Sequence, residues 1–177
     1  MRTLKRRLGD ETGVEILEAA LVLPILFTLL LGIVWFGRAF NIYSTIAQAA
    51  QQGAIAAARP TCATCAPGNP VSAADSAVVA VLQAARLDVS LVSAPTTAPA
   101  NGCITTPANV MVCPNVILNS STGPLPQCDL VSPNQAPPDQ CGTIVAFRYS
   151  FTSNLPFTSL NLQTVVMNAQ AQTRTEN

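Results

Sequence analysis

The chain has 177 residues, of which 49% are apolar and 10% charged, about half the charged share of an ordinary soluble domain. Nine Lys and Arg offset nine Asp and Glu, so the chain has no general electrostatic grip on nucleic acid. Histidine is absent, which removes the Ser-His-Asp triad, the Cys-His pair and every His-dependent metal site.

The balanced charge conceals an uneven layout. Arg2, Lys5, Arg6 and Arg7 open the chain, and Asp10, Glu11, Glu15 and Glu18 follow. Residues 19–37, AALVLPILFTLLLGIVWFG, carry no charge. A helix of that length reaches roughly 28 Å, the thickness of bilayer hydrocarbon. A buried core helix would show a polar face, and this segment has none, so the pattern predicts a membrane span. Trp35 stands near its far end, where an indole favours the membrane interface. Pro24 predicts a kink within the span, because neighbouring groups in a membrane can meet the carbonyl it frees. Four basic residues precede the span and only Arg38 follows closely. The positive-inside rule then puts the N-terminus in the cytoplasm and residues beyond about 40 outside. A cleaved secretory signal is the competing reading, with Ala47-Gln48-Ala49 as its formal site. The long apolar run and Arg38 weigh against it.

The head of the chain has a second pattern. Gly13 follows a charged leader, and Glu18 lies at the fifth position after it, which resembles a type IV prepilin processing site. The stretch GVEILEAALVLPILFTLLLGIVWFG resembles the TadE-like family of minor pseudopilins from tight-adherence pilus systems, with Glu18 to Leu26 carrying the family's Glu-x-Ala-Leu-Val-Leu-Pro run. The resemblance implies a bacterial inner-membrane protein with a cytoplasmic leader at 1–13. It implies that a prepilin peptidase cuts between Gly13 and Val14. Its partners would be the membrane, other pilins or pseudopilins and the pilus assembly machinery. Glu15 departs from the uncharged residue commonest at its position. Cleavage would create an α-amine on Val14 with an ordinary pKa near 8, largely positive at pH 7. Glu18 lies one helical turn on, and an unpaired carboxylate in a membrane is costly. Pairing it with that amine, in the same or a neighbouring subunit, would remove the cost and set the register of assembly. The simpler alternative is that Glu18 marks the edge of an anchor among lipid headgroups.

The helix is expected to continue past the membrane, giving a long helix over 14–59 with its span at about 19–37. Tyr43, Ile46, Ala47, Ala50, Ala54 and Ala58 fall at helical steps, with Ser44, Thr45, Gln48, Gln51 and Gln52 on the other side. Ala49, Gly53 and Ala57 form a small-residue ladder that allows close helix packing. Glycine costs roughly 1 kcal/mol in a helix interior, which argues for a packing role at Gly53 over plain Ala-rich propensity. Pro60 closes the helix.

Residues 60–177 form the expected extracytoplasmic head, and the fold class is α+β. A second helix is expected over 74–87, capped near Ser72, with Val78, Val81, Leu82 and Ala85 inward and Arg86 at its C-terminal end. Strand candidates follow at 88–92 and at 110–112, the latter ended by Pro114. The clearest strand is 143–152, where Val145, Phe147, Tyr149 and Phe151 alternate with Ile144, Ala146, Arg148 and Ser150. Residues 160–173 resume the alternation, with a side switch and a plausible bulge near Val165 and Val166. Between them, 119–140 is rich in Ser, Pro, Asn and Gln and is expected as a long loop, either a contact surface or a tolerated insertion. Asn119-Ser120-Ser121 forms a weak glycosylation sequon.

All six cysteines, Cys62, Cys65, Cys103, Cys113, Cys128 and Cys141, lie in this outer part, as an oxidising compartment requires of disulfides. Six cysteines allow up to three bridges, and Cys128 with Cys141 is the expected loop staple. Cys62-Ala-Thr-Cys65 has thiol-redox spacing, but it follows a helix where a redox cysteine would begin one, so a structural bridge is the better reading. Zinc needs two such knuckles and only one exists. No catalytic constellation, cofactor motif or metal set is read, and the chain is not expected to be an enzyme. The expected function is a minor pseudopilin or pilus-assembly component. The alternative is a permanently anchored single-pass protein whose head binds a ligand. A thiol oxidoreductase using Cys62 and Cys65 is the third possibility.

Overall fold

A computed structural model describes residues 11–59, 69–121, 124–128, 140–152 and 164–174. The chain divides into two units, residues 1–42 and residues 43–177, and helix α1, Glu11–Ala58, contributes to both. The helix begins three residues before the expected Val14 and ends one residue before Arg59, whose N–H still bonds the Ile55 carbonyl.

In the first unit α1 is an apolar rod. Leu21, Leu23, Ile25, Leu29, Ile33 and Phe36 all stand more than half exposed. None of the most apolar eighteen-residue window of the helix is buried. Pro24 lies inside the helix without ending it, and the Thr28 hydroxyl donates to the Pro24 carbonyl at 2.7 Å. The stretch lacks the polar face that marks a helix packed on the core of a soluble domain.

The second unit is an α+β head. The final turns of α1 bury Ile46, Ala49, Ala50, Gly53, Ala54 and Ala57. Tyr43, expected on the inward face, is 52% exposed, and Ala49 and Gly53 replace it there. The small-residue ladder together with Ile46 forms the buried face.

Helix α2 is Pro70–Ala84. It starts earlier than expected because Asn69 is the N-cap, its side chain accepting from the Val71 N–H at 3.0 Å, with Pro70 at the first helical position. Ala74, Val78 and Leu82 are buried, whereas Val81 is half-buried and Ala85 exposed. The helix stops at Ala84 because Arg86 takes the left-handed conformation with φ 57°. Its N–H bonds the Gln83 carbonyl, and Leu87 N–H bonds the Leu82 carbonyl, which is a Schellman cap. Arg86 therefore lies beyond the helix, where the sequence placed it in the last turn.

A 3-10 turn at Val89–Leu91 and the two-residue strand β1, Val92–Ser93, replace the expected strand over 88–92. Asp88 caps that turn through its side chain, which accepts from the Ser90 N–H and so turns the backbone away from an extended path. The remaining strands are β2 Ile104–Thr105, β3 Met111–Ile117, β4 Cys141–Phe151 and β5 Val165–Arg174. All pairings are antiparallel. β4 is central, with β5 along one edge and β3 and β1 along the other, and β2 pairs with β3.

Strand β3 passes through Pro114, which was expected to end it. The register shifts between Cys113 and Val116, and Asn115 takes φ 53°. A bulge there removes the ladder bond that proline cannot make. By contrast, β5 pairs with β4 without a register shift from Gly142↔Arg174 to Phe151↔Val165, so no bulge occurs at Val165 and Val166, and both are exposed. The sheet's irregularity sits at the proline.

Strand β4 is buried on both faces from Gly142 to Phe147, not on one. Val145 lies toward α1 and α2. On the opposite face Ile144 joins Ala100, Cys113 and Val116 in an apolar cluster, with Cys103, Met111, Leu118 and Leu125 packed around it. Residues 124–128, expected as part of an unstructured loop, form isolated bridges between Leu125 and Ala100 and between Gln127 and Val116. The remaining residues of 119–140 apart from 119–121 and 140 lie outside the described residues, as do 153–163.

Candidate functional site

The residues singled out in the sequence fall into two separate groups. Gly13, Val14 and Glu18 lie on α1 in the first unit. Gly13 and Glu18 are exposed, and a Cβ added at Gly13 would meet no atom within 4 Å. Nothing in the fold of this segment requires glycine. Glu15 and Glu18 are three residues apart, and so share one side of the helix. Val14 and Glu18 are separated by one helical turn, the spacing at which an amine and a carboxylate can meet.

Ala49, Gly53 and Ala57 lie on α1 in the second unit and are buried. A Cβ at Gly53 would stand 2.6 Å from Val78 Cγ2, 3.4 Å from the Ala74 carbonyl oxygen and 3.4 Å from Val145 Cγ1. At Gly53, α1 packs against both α2 and β4. The ladder therefore packs within the chain's own head.

Among the described residues no cysteine is free. Cys103 is bonded to Cys113 and Cys128 to Cys141. Cys62 and Cys65 lie outside the described residues. The first bridge joins the segment before β2 to β3, with Cys113 fully buried in the cluster around Ile144. The second ties residues 124–128 to the start of β4. Among the described residues no group of three His, Cys, Asp or Glu side chains could hold a metal ion.

Two polar features had no signal strong enough to be read from the sequence. Thr106 is buried, donates its hydroxyl hydrogen to Asp75 Oδ1 and accepts from the Val110 N–H at 3.1 Å, joining α2 to the turn before β3. Arg148 follows the apolar run Ile144 to Phe147 in β4, and its Nε is buried with no hydrogen-bond partner among the described residues. It lines a cavity of about 270 Å³ together with Pro95, Thr96, Thr97, Asn168 and Gln170. An arginine amid apolar residues was the available sequence signal. Alternation alone places it on the side opposite Val145, Phe147 and Tyr149.

Two titratable groups flank β1. The Ser90 N–H donates to Asp88 at 2.9 Å and holds this carboxyl below its ordinary range. Burial pushes the Tyr149 phenol up from its ordinary value.

No curated protein and no solved structure matches the chain. The family model described as TadE-like protein matches residues 13–54, which include Gly13, Glu18, the apolar rod and the ladder through Gly53, so the chain is similar to TadE-like proteins over a segment whose helix is long and apolar enough to cross a membrane.

Proposed function

We propose that this chain is a minor pseudopilin or assembly component of a tight-adherence pilus, held in the bilayer by α1 and acting through contacts with other subunits. The observation that carries the reading is the TadE-like match over residues 13–54, which includes an apolar stretch of α1 whose large side chains, from Leu21 to Phe36, stand exposed. Each large apolar side chain left in water would forgo roughly 1.5–3 kcal/mol of burial, and a bilayer or a bundle of like helices recovers it. The excess of Lys and Arg before the span orients the N-terminus to the cytoplasm and the head to the outside. The disulfides of the head fit that compartment.

In this reading a prepilin peptidase removes residues 1–13 and Val14 becomes the first residue. Glu18 then pairs with the new amine of its own or an adjacent subunit, which fixes the axial stagger between helices. Exposure of Glu18 and the one-turn spacing support that pairing. The likeness to a pilus-associated structural family supports a role through assembly.

The test is surface piliation in cells whose only copy carries Glu18→Ala, with membrane levels of the protein measured in parallel. Loss of pili at unchanged membrane abundance supports an assembly role. Normal piliation, both in that variant and after deletion of the gene, refutes it and favours an anchored binding head.

A further inference from the structure

We infer that the cavity at Arg148 is a carboxylate-binding site on the head. It lies on the sheet face opposite α1 and α2, beside the apolar cluster around Ile144. Arg148 on β4 pairs in register with Asn168 on β5 and with Ser93 on β1, and Ala146 pairs with Gln170. Strand alternation therefore sets Arg148, Asn168 and Gln170 on one face. Thr96 and Thr97, from the segment after β1, complete the polar wall of a cavity of about 270 Å³.

The chemistry of that wall is one-sided. It offers a guanidinium, two carboxamides and two hydroxyls, and its lining contains no carboxylate. Among the described residues the buried Nε–H of Arg148 has no acceptor. Buried donors are almost always bonded, and those belonging to charged groups most of all. Nε–H and a neighbouring Nη–H form one of the parallel donor pairs of the arginine fork, whose geometry matches the two oxygens of a carboxylate. The amides and hydroxyls can add donors to the same oxygens. A cavity of this volume takes a group of a few heavy atoms, such as a free small acid or the acidic side chain or C-terminus of a peptide. The inference does not depend on a role in a pilus, because every residue involved lies in the head outside the TadE-like segment.

The Nε–H of Arg148 is itself observable. In full-length protein labelled with ¹⁵N-arginine and held in detergent micelles, its resonance is followed during titration with two probes, sodium succinate and an acetylated pentapeptide bearing one central glutamate. Succinamide and the glutamine version of the peptide serve as isosteric neutral controls. The expected result is a saturable shift at millimolar concentration with at least one acidic probe, at least tenfold weaker with its neutral control. Response to succinate identifies a small-acid site, and response to the peptide alone identifies a protein-borne carboxylate. The shift is expected to vanish in Asn168→Ala/Gln170→Ala, whose exposed positions leave the core untouched. Arg148→Lys, checked for an unchanged thermal transition, is expected to lose the competition of either acid against a fluorescent glutarate probe. No saturable shift with either acid, or equal shifts with acid and amide, overturns the assignment. So does an Nε–H already hydrogen-bonded in the free protein.

Discussion

Replacing Gly53 with alanine sets two known effects against each other. Alanine in a helix interior is favoured over glycine by about 1 kcal/mol. The added Cβ, however, would stand 2.6 Å from Val78 Cγ2, closer than carbon atoms approach without something moving. Val78 is fully buried, and its branched side chain has little χ1 freedom. The Ala74 carbonyl and Val145 Cγ1, both at 3.4 Å, leave little room on the other sides. Overpacking of this kind costs about 1–3 kcal/mol, so the net expectation is a loss of about 1 kcal/mol, and at most about 2. For a unit of this size that lowers the midpoint by about 3–8 °C. Thermal unfolding of the full chain in detergent, followed by near-ultraviolet circular dichroism, measures it. Gln52→Ala, at an exposed neighbouring position, serves as control and should move by no more than about 0.5 kcal/mol. Combining Gly53→Ala with Val78→Ala removes the offending methyl, so the double variant should be more stable than the sum of the single effects by about 1 kcal/mol. A raised midpoint in Gly53→Ala alone would refute the claim that α1, α2 and β4 need glycine at this crossing.

Further expectations follow from individual residues. Arg86→Gly should stabilise the head by about 0.5–1 kcal/mol in the same assay, because only glycine takes the left-handed cap without penalty. Asn69→Ala should cost about 1 kcal/mol through loss of the α2 cap. Removing the Cys103–Cys113 bridge by a double serine substitution should cost about 2–3 kcal/mol, and a loss near zero would mean that the cluster around Ile144 holds that loop unaided. Asp88 has a lowered pKa, so its contribution is present above the ordinary carboxyl value of 3.8 and is lost as pH falls through the lowered one. Tyr149 has a raised pKa, so its contribution is present below the ordinary value of 10.0 and is lost as pH rises through the raised one. Midpoints measured against pH should therefore fall off at both extremes, with Asp88→Asn flattening the acid limb and Tyr149→Phe the alkaline one.

The parts legible in the sequence were those set by long, uniform patterns. Charge-free residues 19–37 and the ladder at Ala49, Gly53 and Ala57 announce an anchor and a close helix contact without help from distant residues. Strand β4 announces itself by alternation, but alternation implies one buried face, and the segment around Ala100 and Leu125 covers the second. That covering depends on contacts between residues far apart in sequence, which no local pattern encodes. Element boundaries fail for the same kind of reason at shorter range. Asn69 and Arg86 bound α2 through side-chain and left-handed caps that differ from the expected cap near Ser72 and the expected end at 87. Pro114 reads as a stop, yet a one-residue bulge carries the strand through it. Parity places Arg148 opposite the aromatic side of β4, while the enclosure of its Nε depends on residues distant in sequence, such as Thr96, Thr97 and Asn168, that line the same cavity.

In the proposed pilin reading α1 enters the membrane whole and is trimmed there. The intact mass of the protein extracted from membranes of piliated cells is the decisive measurement. The expected product is a chain that begins at Val14, short by the thirteen residues of the leader, with full-length protein accumulating only when the prepilin peptidase is deleted. A chain that still carries Met1 to Gly13 in piliated, peptidase-positive cells would contradict it.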